Sequence, residues 1–144
     1  MSHLSLPLRL ASARWPAALL LCLVTSCGDD PITSNSDPLA PFQPEISTVA
    51  DNFSLQATGV SNVSTTQTYS WRNSGTRATI NHSTSTQAGS TLLVIKDAAG
   101  TTVYSKALSP SLNEPTIAGV AGAWSVQLTL TSYRGTLNFR AQKL

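Results

Sequence analysis

The strongest constraint on what this chain can fold into is a period of two that begins near Asn52 and recurs to the carboxyl end. Trp124, Val126, Leu128 and Leu130 alternate with Ser125, Gln127, Thr129 and Thr131. Phe53, Leu55 and Ala57 alternate with polar residues, as do Tyr69 with Trp71 and Leu137 with Phe139 and Ala141. Side chains of a strand point to opposite faces in turn, so such alternation describes half-buried strands of an antiparallel sheet. The fold class this predicts is all-β.

Turn chemistry sets the expected connections. Asn73-Ser74-Gly75, Asp97-Ala98-Ala99-Gly100 and Ser132-Tyr133-Arg134-Gly135 each place Gly where a tight hairpin needs positive φ. Three hairpins follow as expectations: 67–73 with 76–82, 90–97 with 101–108, and 123–132 with 135–143. TLLVIKD (91–97) is apolar on both alternating sets in its middle, as in a central strand covered on both faces. With a strand at 53–59 and a short one at 115–118, about seven or eight strands result. Burying their apolar faces most economically gives an antiparallel two-sheet sandwich, jelly-roll-like or Ig-like, over residues 51–144.

The amino-terminal quarter has a different character. Residues 1–14 hold two arginines and no acid, WPAALLLCLV (15–24) is an apolar block, and Thr25 and Ser26 follow. This is the order of a secretory signal. The block is too short to span a bilayer as a helix, which takes about 20 apolar residues. Cys22 inside it reads as an apolar filler that leaves with the signal.

Val24-Thr25-Ser26-Cys27 resembles the lipobox of bacterial lipoproteins, with Val24 where that family most often has Leu. The resemblance implies cleavage between Ser26 and Cys27 and lipidation of Cys27. It also implies a protein fastened to the bacterial envelope by its acyl chains, and Gly28 after the cysteine points to the outer membrane rather than the inner one. Residues 1–26 are then the signal peptide. Two or three acyl chains, at about 0.8 kcal/mol per buried methylene, hold a protein stably on a membrane. A single acylated cysteine leaves no intramolecular disulfide, so the domain depends on its core.

Residues 27–50 are expected to form the lipidated cysteine and a disordered Pro- and Asp-rich tether. Over 28–47 there are four prolines and four carboxylates, and an extended chain of this kind reaches up to about 60 Å. Asp29 and Asp30 read as solvated charges rather than metal ligands. From Cys27 onward, seven basic and seven acidic side chains balance. That removes the electrostatic footprint of nucleic-acid binding.

LLVIKDAAGTTVYS (92–105) followed by GAWSVQLTLTSYRGTLNFRAQK (122–143) is similar to the pre-peptidase C-terminal type of β-sandwich and to like domains of bacterial lipoproteins. The likeness implies a surface-located, non-catalytic accessory role.

Chemistry-bearing residues are few. His82, expected at an exposed strand end, has no G-x-S-x-G elbow or other motif near it. A carboxylate pair would have to come from Asp51, Asp97 and Glu114, and Asp97 already serves a turn. The sequence holds no H-x-x-x-H, Cys cluster or D-x-D-x-D-G loop, so neither metal nor cofactor is expected. Three Asn-x-Ser triplets, at Asn52, Asn62 and Asn81, match a glycosylation pattern that a Ser-rich chain yields by chance. Tyr133, expected exposed at a hairpin tip, Tyr104, and Trp71, expected in the core, are the rings available for stacking on sugars. The expected role is that of a lipid-anchored envelope module that is not an enzyme and has a binding or structural role with its ligand unknown, an envelope protein or a polysaccharide being the candidate partners. A surface carbohydrate-binding module is the alternative, and a hydrolase comes third.

Overall fold

A computed structural model describes residues 37–144, so the signal, Cys22, Cys27, Asp29 and Asp30 lie outside the described residues. A single turn of 3-10 helix at Ala40–Phe42 precedes seven strands: β1 (Glu45–Val49), β2 (Asn52–Asn73), β3 (Ala78–His82), β4 (Ser85–Lys96), β5 (Thr102–Lys106), β6 (Leu112–Pro115) and β7 (Gly122–Lys143). Every pairing is antiparallel. The all-β class read from the alternation therefore holds.

Two strands of 22 residues, β2 and β7, organise the molecule. They pair with one another from Asn52↔Gln142 to Asn73↔Gly122. At about 3.3 Å per residue such strands would be roughly 70 Å long if straight. They are folded double instead: the backbone N–H of Asp51, at one end of β2, donates to the carbonyl of Arg72 near the other, at 2.8 Å.

The fold line is built from residues in the left-handed region, at the same level in three neighbouring strands. Gly59 and Asn62 of β2, Ser132 and Gly135 of β7, and Gly89 of β4 all have positive φ. The register of β2 on β7 slips between Ala57 and Thr65, and that of β4 on β7 between Thr86 and Ser90. Such bulges bend a strand without ending it.

Folding divides the continuous sheet into two facing halves. In the first, the order is β1, the start of β2, the end of β7, β3 and β6. In the second it is the end of β2, the start of β7, β4 and β5. Their inner faces make one core. Phe53, Leu55, Ile80, Leu137 and Phe139 come from the first half, and Trp71, Leu93, Ile95, Trp124 and Leu128 from the second. Trp71 and Trp124 stand opposite one another and meet edge to face at 5.8 Å. Burial of each large side chain contributes about 1.5–3 kcal/mol.

Asp51 fastens the folded ends. Its carboxylate accepts from the Ser74 N–H at 2.7 Å and the Ser74 hydroxyl at 2.8 Å, and pairs with Lys143 at 3.1 Å. The Ser74 backbone donor, ahead of its hydroxyl and Lys143, holds the Asp51 carboxyl below its ordinary value.

Several expectations need correction. The hairpin of 67–73 with 76–82 does not form; the Asn73–Gly75 turn instead carries the chain from the second half to the first, where β3 pairs with β7 and β6. The hairpin of 123–132 with 135–143 is one bent strand, β7, because a positive-φ glycine serves a bulge as well as a turn. The short strand lies at Leu112–Pro115 rather than 115–118. TLLVIKD is central in its pairing, between β5 and β7, yet Leu92 is 42% exposed, so the outer face is open. Part of the expected tether is also structured, since β1 pairs with β2 and Leu39 is fully buried. The hairpin of 90–97 with 101–108 forms as read.

Candidate functional site: a polar outer face centred on Arg140

The residues singled out in the sequence are mostly spent on holding the fold. His82 is 2% exposed rather than at an exposed strand end, because its side of β3 is the inner one. Its Nε2 lies 2.9 Å from the hydroxyl of Tyr104, which is 6% exposed on β5. Their rings meet edge to face at 5.9 Å. Nearby, Glu114 of β6 pairs with Lys106, whose Nζ lies 2.6 and 2.7 Å from the two carboxylate oxygens.

This cluster joins the two halves of the sheet through polar contacts. Burial lowers the His82 pKa, against the opposing pull of Glu114. Burial, and then the Glu114 charge, raises the Tyr104 phenol. The hydrogen bond from Lys106 holds Glu114 below the ordinary carboxylate range. The topology thus brings His82, Tyr104 and Glu114 together, while Asp97 and Asp51 belong to separate networks.

Asp97 closes the β4–β5 turn. Its Oδ1 accepts from the N–H groups of Ala99 and Thr101 at 3.0 and 2.8 Å, and its Oδ2 from Val120 N–H at 2.8 Å. These backbone donors, Val120 first, keep its carboxyl low. No group of three or more potential metal ligands occurs among the described residues.

The three rings considered for sugar stacking are enclosed. Trp71 is 1% exposed and donates from Nε1 to the Val49 carbonyl at 3.2 Å. Tyr133, expected at an exposed tip, is fully buried at the fold line and donates to the Ser85 carbonyl at 3.1 Å. A buried ring offers no face to a saccharide. Cys27 and Ser26 lie outside the described residues.

What sequence reasoning missed is the outer face of the first half-sheet. Register puts one residue from each of five strands in a line: Ser47 of β1, Ser54 of β2, Arg140 of β7, Asn81 of β3 and Asn113 of β6. A neighbouring row holds Glu45, Gln56 and Asn138, and another holds Asn52, Gln142 and Thr79. Strands about 4.8 Å apart make the five-residue row roughly 19 Å wide.

None of the Arg140, Asn81, Asn113, Asn138, Gln56 or Gln142 side chains has a hydrogen-bond partner among the described residues. The second half-sheet's outer face differs, since Thr66 bonds Thr129 at 3.2 Å and Gln127 bonds Thr68 at 3.4 Å across its strands. Two shallow depressions, of about 200 and 290 Å³, flank Arg140 and share it and Asn138 in their walls. A signal for this face was present in the alternation of Asn138, Arg140 and Gln142 with the core residues of β7, but strand pairing alone places Asn81, Asn113 and Ser54 beside them.

No protein-family model matches the chain, and no curated protein matches it.

Proposed function

We propose that this protein is a non-catalytic binding module, tethered to the bacterial envelope by lipid on Cys27, that presents the Arg140 face to an envelope ligand. The single observation carrying the binding part is the contrast between the two outer faces. On one, Thr66 bonds Thr129 and Gln127 bonds Thr68 across the strands, with the exposed Arg72 near one end. On the other, an arginine and five amides have no partner among the described residues, and their donors and acceptors are open to a ligand. The anchor rests on the lipobox-like Val24-Thr25-Ser26-Cys27, and Gly28 after it supports the outer membrane over the inner one.

Fractionation tests the anchor. Wild-type protein should sediment with membranes and Cys27→Ser should appear in the soluble fraction; sedimentation of Cys27→Ser with membranes contradicts it. Capture of envelope material tests the face. An Asn81→Ala/Asn113→Ala variant should lose captured material, whereas Thr68→Ala/Gln127→Ala on the opposite face should retain it. Equal capture by both variants contradicts the reading.

A further inference from the structure

We infer that the Arg140 face takes an acidic polysaccharide, with a uronate-type carboxylate on Arg140 and ring hydroxyls on the surrounding amides. The inference rests on the reading of this face as the binding surface and adds the chemical class of what it holds.

Charge is the first argument. Arg140 is exposed and central in the five-strand row, and it makes no ion pair among the described residues, where the ion pairs are Lys106–Glu114 and Lys143–Asp51. Glu45 is the acid on this face, at its β1 rim. It is two strands and two residues away from Arg140, about 12 Å by strand and residue spacing. The centre of the face is therefore locally cationic, and a guanidinium fork matches a carboxylate with two parallel hydrogen bonds.

The surroundings supply the second argument. Asn81, Asn113, Asn138 and Gln142 each offer an acceptor oxygen and two donor hydrogens, the complement that vicinal hydroxyls require. They are spread over a nearly flat lattice rather than around a deep apolar pocket, and the two depressions beside Arg140 are lined mainly by hydroxyl and amide groups. This suits an extended chain of hydroxylated rings better than a peptide, whose side chains need apolar cavities. Trp71, Tyr104 and Tyr133 are enclosed in the core, so recognition proceeds through charge and hydrogen bonds without ring stacking.

Exposure sets the strength. One solvent-exposed ion pair contributes up to about 1 kcal/mol. A single uronate is therefore bound weakly, and a polymer gains by presenting repeated carboxylates to the same arginine.

The test uses the full-length chain, extracted in mild detergent, on beads carrying polygalacturonate, neutral dextran or dextran sulfate. Wild-type protein should be retained on polygalacturonate, released by salt, and pass through neutral dextran. Arg140→Ala should reduce retention about three- to fivefold, the span of one such exposed ion pair, and Arg140→Lys less. Arg72→Ala and Arg134→Ala, which remove exposed cations elsewhere, should leave it unchanged. No retention on polygalacturonate, equal retention on neutral dextran, or equal loss in the Arg72→Ala and Arg134→Ala controls overturns the inference. Stronger retention on dextran sulfate overturns the carboxylate assignment. If the beads fail while the Asn81→Ala/Asn113→Ala variant still loses captured envelope material, the ligand class falls and the binding face stands.

Discussion

The rings of Phe53 and Tyr69 lie 5.7 Å apart although both belong to β2. Sixteen residues of straight strand would separate them by roughly 53 Å. Their contact is the signature of a ribbon bent back on itself, and it makes the fold line, with Gly135 at its most crowded point, the place on which the core depends.

Gly135 should tolerate no side chain. A Cβ there would meet the Ser85 carbonyl oxygen at a distance no real contact adopts, and its φ of 149° is foreign to L residues. Gly135→Ala is expected to destabilise the domain by about 3 kcal/mol, the scale of forced overpacking with strain. Gly59→Ala, at φ 65° with nothing within 4 Å, should cost only about 1 kcal/mol. Urea unfolding of the two variants checks the difference.

Tyr133 is a fold-line residue, and its variants should report stability rather than binding. Tyr133→Phe removes one hydrogen bond to Ser85 and should cost about 1 kcal/mol. Tyr133→Ala empties a buried site and should cost about 3–5 kcal/mol. Melting curves measure both, and Tyr133→Phe should retain wild-type capture of envelope material.

Acid should weaken the fold in two stages. Above pH 6.5 the His82 ring is neutral in both folded and unfolded chains. Below it the unfolded chain takes up a proton that burial denies the folded one, so stability falls as the pH drops from 6.5 toward the lowered folded value. Asp51, Asp97 and Glu114, all held below their ordinary values of 3.8 to 4.5, add a second loss when the pH falls through that range and below it. Melting temperatures at pH 7.5, 5.5 and 3.5 follow the stages. His82→Gln should abolish the first drop and leave the second.

Alternation made the strands legible because a period of two has one meaning when one face is buried. Trp71 and Trp124 were assignable to the core for that reason. What was not legible was the continuity of β2 and β7. Gly135 and Ser132 carry the same positive φ in a bulge as in a hairpin, and only the partner strands decide between them. The burial of His82 and Tyr104 was hidden by the same limit, because each needs the other half-sheet to cover it. Arg140 was readable as outward-facing, but its neighbours Asn81 and Asn113 stand far from it in the chain and join it only through register.

The central claim is that the first half-sheet's outer face meets the ligand. Photo-crosslinking amino acids placed singly at Asn81 and at Gln127 of the full-length protein, followed by irradiation of intact envelopes, test it directly. Crosslinked envelope material from position 81 and none from position 127 is the predicted result. Crosslinks from position 127 alone, or from both positions equally, would contradict it.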